Sequence, residues 1–300
     1  MFPPALRALL AGAIDYAGLF PPASLGMTAA VGNYDDYRRG ADAWALGRFV
    51  VPTSRLDEFV AVMSERPAPD GEGRPWRVSA ILGGEADAEV LAIRSANQRL
   101  GGTAVVDCVE VRTPSAADVE RISAAAAAGT EVFVEVPVDG DIESITFAAA
   151  RHGAHAKIRT GGVTADAFPT AAQVAHFLRA CHERGIAFKA TAGLHHPLRA
   201  SYPLTYESRS RRTVMFGFLN VMLAAMLVWK GEDEATVTAL LEERTPDALS
   251  VGAAAIRWQE HELPAAEIAR ARAGFVRGFG SCSFREPLDE LRALAPMARS

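Results

Sequence analysis

Eight short apolar runs recur along this 300-residue chain, and none alternates strictly with polar residues. They are "AIDYAGLF" (13–20), "GRFVVP" (47–52), "WRVSAILGG" (76–84), "TAVVDCVEV" (103–111), "EVFVEVPV" (131–138), "AHAKIRTGG" (154–162), "IAFKATAGLHHP" (186–197) and "GFGSCSF" (278–284). Between them lie stretches of helical pattern. In "SRLDEFVAVMSER", Ser54 is placed to cap; in "SAADVERISAAAAAG", Ser115 is placed to cap and Gly129 to close. Continuous apolar runs point to strands buried on both faces, as in a parallel sheet covered by helices. Eight such units predict an α/β fold of the (β/α)8 TIM-barrel type, which takes about 250 residues. An open doubly wound sheet is the rival, but no Gly-rich dinucleotide fingerprint follows any run.

Apolar residues make up 49% of the chain, enough for one large core, so 1–300 reads as a single domain. The surplus length lies at 200–275. It reads as a mostly helical insertion between the last two strands, with a short strand near "AAIRW" (254–258). The alanine run 124–128 suits a helix, and "RPAPDGEGRP" (66–75) reads as a surface loop.

A net charge of −5 with no basic block argues against nucleic-acid binding. The three cysteines, Cys108, Cys181 and Cys282, have no metal-ligand spacing and are odd in number, which favours a reducing, cytoplasmic setting. No basic segment leads into a long apolar core at the N-terminus, so no signal peptide is expected. The run "TVMFGFLNVMLAAMLVW" (213–229) falls short of the ~20 residues needed to span a bilayer. No membrane partner is expected; the run reads as a buried or subunit-interface helix, which leaves room for a homodimer. The basic cluster "SRSRR" (208–212) reads as a solvated turn, with an arm over the barrel mouth as the alternative.

In this fold, catalytic groups sit at the C-terminal ends of strands and in the loops that follow. Polar residues there include Asp15, Asp107, Glu110, Glu135, Lys157, Arg159, Lys189, His195 and His196, together with "GSCS" at 280–283. Two ammonium groups on adjacent strands repel, and desolvation adds to this, so at least one lysine pKa is expected to fall. A neutral lysine is a nucleophile able to form a Schiff base with a carbonyl. Asp107 would then move protons.

Taken in order, these segments resemble the deoxyribose-phosphate aldolase superfamily of class I aldolases over roughly 13–198 and 276–296. "AIDYAGLFPPA" resembles its first strand, "FVVPTSRL" its second and "RVSAILGG" its third. "VVDCVEV" is similar to the fourth, whose catalytic aspartate falls on Asp107, and "VFVEVP" to the fifth, with Glu135. "AKIRTGGVT" resembles the Schiff-base strand, which places the nucleophile at Lys157, and "FKATAGL" places the second lysine at Lys189. "FGSCS" resembles the phosphate-binding Gly-Ser segment. Two features depart from the pattern. Arg159 stands where that family has a small hydroxyl residue, and His195 and His196 replace small and basic residues. The set as a whole also resembles a bacterial and plant protein family that adds no reaction to the comparison.

The resemblance implies an imine-forming aldolase or lyase. Lys157 would attack the carbonyl, Lys189 would lower its pKa, and Asp107, aided by Asp15, would relay protons. Arg159, Thr160, Glu135, Thr191, Gly193, His195, His196, Gly280, Ser281 and Ser283 would bind substrate, a small oxo-acid or sugar-phosphate-like compound. No organic cofactor is implied, and no metal ligand is assigned. Two alternatives stand beside it. One is a metal-dependent hydrolase or isomerase centred on His195 and His196, with Asp15, Cys282 and Glu135 as further ligands. The other is a barrel that binds an anionic metabolite without turnover. Cys282 reads as a small buried residue beside an anion pocket, and Glu286 and Asp289 as partners of a helix dipole.

Overall fold

The computed structural model describes residues 2–66, 74–112 and 115–294. After helix α1 (Pro4–Leu10), strands and helices alternate: β1 (Ile14–Tyr16), α2 (Met27–Arg39), β2 (Leu46–Pro52), α3 (Leu56–Ser64), β3 (Trp76–Leu82), α4 (Ala86–Leu100), β4 (Ala104–Arg112), α5 (Ala116–Ala125), β5 (Glu131–Glu135), α6 (Ile142–Arg151), β6 (His155–Arg159), α7 (Ala171–Glu183) and β7 (Phe188–Thr191). A long excursion follows, with β8 (Ala200–Pro203), β9 (Arg212–Met215), α8 (Phe218–Lys230), α9 (Glu234–Glu242), β10 (Leu249–Val251), β11 (Ala255–Trp258), β12 (His261–Pro264) and α10 (Ala265–Gly274). The chain then returns as β13 (Val276–Ser281) and α11 (Arg285–Ala293).

Eight strands close into a parallel barrel in the order β1-β13-β7-β6-β5-β4-β3-β2, the TIM-barrel architecture expected. Closure is tight where β13 meets β1. A Cβ on Gly278 would come within 2.2 Å of the Ala13 carbonyl oxygen, so only glycine fits there. Helix starts are capped where the sequence offers a short polar side chain: Ser115 on α5, Asp141 on α6, Thr170 on α7 and Asp233 on α9. Ser54 does not cap α3, because it lies within a 3-10 turn at Thr53–Arg55 and the helix starts two residues later. The helix of the alanine run stops at Ala125, and Gly129 takes a positive φ in the turn beyond. Of the expected loop at 66–75, residues 67–73 lie outside the described residues.

The excursion between β7 and β13 is less helical than expected. It contains an antiparallel hairpin, β8–β9, and a three-stranded antiparallel sheet, β10-β11-β12, of which only β11 was expected. Its helix α8 is buried from Phe218 to Val228, between the barrel strand β13 and helices α7, α9 and α10. Phe218 stacks on Phe279 of β13 with ring centroids 5.0 Å apart. The apolar circumference of α8 is thus covered within the chain. The one polar residue within that buried stretch, Asn220, is also satisfied. It accepts from the Arg199 backbone N–H at 2.8 Å and donates to the carbonyls of Leu240 and Glu243 at 2.8 and 2.9 Å. Among the described residues, no helix is long and apolar enough to cross a membrane.

Candidate active site

A cavity of about 400 Å³ opens at the C-terminal mouth of the barrel. Its floor is charged. Lys157, Lys189, Glu110 and Glu135 all line it and all are buried. Lys157 and Lys189 are register partners on adjacent strands, as the sequence suggested, but a carboxylate separates their charges. One Glu110 oxygen accepts from Lys189 Nζ at 2.6 Å and from the Ser79 hydroxyl at 2.7 Å. The other lies 3.0 Å from Lys157 Nζ. Asp15 holds the far side of Lys189 at 2.5 Å, and Glu135 holds Lys157 at 2.9 Å.

Two lysines therefore face three carboxylates, and the electrostatics differ from those of a bare pair. Burial works against the charge on Lys189, but Asp15 and Glu110 outweigh it and drive its pKa upward. Burial likewise works against ionised Glu110, and here Lys189 and Lys157 outweigh it and hold the carboxyl well below its usual range. Glu135 is lowered in the same way, burial being opposed by Lys157 and Arg159. The charge of Lys189 is thus committed to Asp15 and Glu110.

Above the floor, Glu135 lies 3.5 Å from Arg159 Nε and 3.7 Å from Arg112 Nε. Both arginines line the cavity and are substantially exposed, so their forks are open to a substrate anion. Thr191, Gly193, Gly280, His195 and His196 also reach the wall. Gly193 has φ +73°, and a Cβ there would sit 3.1 Å from the Phe168 ring and 3.2 Å from Gly161 Cα, so the backbone after β7 lies close on the loop after β6. Much of the remaining wall is apolar, including Phe20, Pro21, Pro22, Val163, Leu204 and Met215, with Thr205, Tyr206 and Glu286 as its polar members.

The histidines point to different partners. His195 Nδ1 lies 3.1 Å from the Ser281 hydroxyl, and burial, with His196 adding to it, pushes its pKa down to about 4. His196 Nδ1 lies 2.8 Å from both Glu290 oxygens, and its ring stacks 3.5 Å from that of Tyr202. The ligand atoms of His196, Glu286 and Glu290 all fall within 4.8 Å of one another. A metal here would be held by that set rather than by Asp15, Cys282 or Glu135. Cys282 lines the cavity, but burial raises its thiol pKa, which suits a packed side chain rather than a nucleophile. Glu286 accepts from the Tyr206 hydroxyl at 2.9 Å, and Asp289 pairs with Arg292 at 2.9 Å, so both have partners beyond the helix dipole.

Five expected site residues do not line this cavity. Asp15, expected to aid proton relay there, meets it only through Lys189. Asp107 is far down the barrel, held by Arg48 Nε at 2.7 Å and Arg77 Nε at 2.6 Å. The cause is a bulge: Val78 pairs with Val106 but Ser79 pairs with Cys108, leaving Asp107 as the extra residue. Thr160 is buried and donates to the Ala192 carbonyl at 2.7 Å, tying β6 to the loop after β7. Ser281 supports His195 from behind, and Ser283 accepts from the Glu286 N–H at the start of α11; neither lines the cavity. None of the residues of "SRSRR" lines it either. The same hairpin contributes Tyr206 instead, a residue with no sequence signal beyond being aromatic in a polar loop. Glu110 was visible as a carboxylate late in its strand, yet it takes the place expected of Asp107. Neither the family models nor the curated proteins compared with the chain match it.

Proposed function

We propose that the chain is an imine-forming lyase of the class I aldolase kind, acting on a small anionic carbonyl compound in the cytoplasm. The observation that carries this reading is a buried lysine at the cavity floor, Lys157, with two carboxylates within 3.0 Å of its amine. The resemblance of the barrel strands to deoxyribose-phosphate aldolases supports it. Lys157, after passing a proton to Glu135, adds through its nitrogen lone pair to the substrate carbonyl carbon. Glu135 gives that proton to the alkoxide oxygen, then takes the surplus proton from the nitrogen and passes it to the hydroxyl, which leaves as water and gives the iminium. The iminium takes up the electron pair of the breaking C–C bond as the enamine forms, while Glu135, ionised again, removes the hydroxyl proton of the departing carbonyl fragment. Protonation of the enamine and hydrolysis then free Lys157. Glu110 stays ionised between the lysines, Lys189, itself paired with Asp15, anchors it, and Arg159 with Arg112 holds the substrate anion. No organic cofactor enters.

The test is borohydride reduction in the presence of a panel of oxo-acids and sugar-phosphate aldehydes, followed by peptide mass spectrometry. The reading expects a reduced adduct on Lys157. Turnover of a carbonyl substrate with no adduct on that residue would sink it. A metal-assisted reading has one observation in its favour, the His196, Glu286 and Glu290 set. Stoichiometric zinc, manganese or iron in the purified protein, lost on His196→Ala, would favour it.

A further inference from the structure

The opposite end of the barrel holds a second cavity of about 400 Å³. Its walls come from the N-terminal ends of strands and from α10, the end that in this fold ordinarily serves stability. Here the lining has an imbalance that stability does not require. Five cations, Arg48, Arg77, Lys189, Arg272 and Arg277, face three carboxylates, Asp15, Asp107 and Glu131. Asp15 is occupied by Lys189, and Asp107 is shared by Arg48 and Arg77. Glu131 pairs with Arg48 and lies 3.7 Å from Arg277. Arg272 has no carboxylate in contact among the described residues; its fork donates to the backbone carbonyls of Val276 and Ala11. The Nε groups of Arg272 and Arg277 are both buried with no hydrogen-bond partner. A buried donor without an acceptor costs on the order of 1–3 kcal/mol, so two in one charged cavity mark an acceptor still to come.

We propose that this lower cavity binds a small oxyanion, a phosphate or a carboxylate group, between Arg77, Arg272 and Arg277. Guanidinium forks match both oxyanions in geometry. The way in is open, since the Arg77 side chain is 60% exposed. Desolvation lowers the Arg272 pKa to about 10, and the attraction of a bound anion would offset that cost. Lys189 lines both the lower and the upper cavity and, among the described residues, is the only one common to the two. An anion in the lower site thus adds a third negative charge near Lys189, which already holds Asp15 and Glu110. The two ends are coupled electrostatically, and by linkage each ligand alters the affinity of the other.

The experiment is isothermal titration calorimetry of the full chain with inorganic phosphate and, separately, with succinate, at constant ionic strength. The expected result is one saturable site per chain for at least one of the two. Binding should be unchanged in Lys157→Met and weakened at least tenfold in Arg77→Gln and in Arg277→Gln. Phosphate alone or succinate alone identifies the oxyanion; both assign the site to either. Saturation by neither anion overturns the proposal, as does wild-type binding in Arg277→Gln. Loss of binding in Arg159→Gln also overturns it, because the anion would then sit at the mouth. Should Arg77→Gln fail the circular-dichroism check for folding, Arg277→Gln decides alone, its side chain being freer of carboxylate contacts. Lys157→Met separates this site from the imine chemistry: that variant removes the reaction and leaves the lower site intact.

Discussion

The two ends of the barrel enclose cavities of equal size, about 400 Å³ each, and charge them with different cations. At the mouth the buried cations are lysines, each clamped by two carboxylates; at the base they are mostly arginines. The difference is chemical. An ammonium group can give up its proton and attack a carbonyl, whereas a guanidinium stays charged throughout the physiological range and can only hold. The mouth also has apolar side chains in its wall, among them Phe20, Val163, Leu204 and Met215. One end therefore suits covalent chemistry and the other fixed-charge recognition, with Lys189 standing between them.

The comparison breaks most visibly at Lys157. Lys157→Met should abolish borohydride trapping outright while leaving the fold intact. Residual trapping at another residue would move the chemistry off this lysine. The next largest effect belongs to Glu110. Glu110→Gln leaves two buried ammonium groups short of a shared carboxylate, and breaking such a pair costs about 3–5 kcal/mol, read as a drop in urea stability. The sign of the pH dependence follows from the depressed carboxyls. Their stabilisation is fully present above the unfolded glutamate pKa of ~4.3 and is lost as pH falls toward their folded values. Lys189, with its pKa raised, acts oppositely: its contribution is complete below ~10.4 and is lost only at higher pH. Wild type should therefore lose stability below about pH 4.3, and Glu110→Gln should flatten that acid limb. An unchanged acid limb would mean that other carboxylates govern it.

Asp107→Asn probes the other end. The expected cost is about 1–3 kcal/mol, from Arg48 and Arg77 losing a charged acceptor, with trapping at Lys157 unaffected. A fall in trapping without a fall in stability would return Asp107 to the reaction and erase the division between the two ends.

Asp107 also shows where sequence reading stops. The barrel was legible because burial on both faces leaves continuous apolar runs, and eight such runs leave few architectures. Lys157 and Lys189 were legible because charge inside such a run needs a reason. The bulge between β3 and β4 was not, since one extra residue in a strand leaves no mark in composition or period, yet beyond it Glu110, and not Asp107, is the carboxylate that meets the lysines. The partners of Lys189 were equally hidden. Asp15, Glu110 and Lys189 meet only when the barrel closes, and the two carboxylates together drive the Lys189 pKa upward. The hairpin β8–β9 was missed for a different reason: its strands carry polar and aromatic residues against solvent, so neither period stands out.

That hairpin supplies the smallest predicted effect. Tyr206 is 58% exposed, yet its hydroxyl donates to Glu286 at 2.9 Å and lies 3.6 Å from Cys282 Sγ. Burial raises the Glu286 pKa, so losing a donor destabilises its charged form further. A neutral-donor hydrogen bond of this kind is worth about 0.5–1.5 kcal/mol. Tyr206→Phe should therefore raise KM by up to about tenfold and leave kcat within a factor of two, because the ring still covers the cavity while its tether to α11 is gone. A drop in kcat with KM unchanged would instead make the hydroxyl part of the chemistry, and the mouth would then hold a proton donor on the side opposite Glu135.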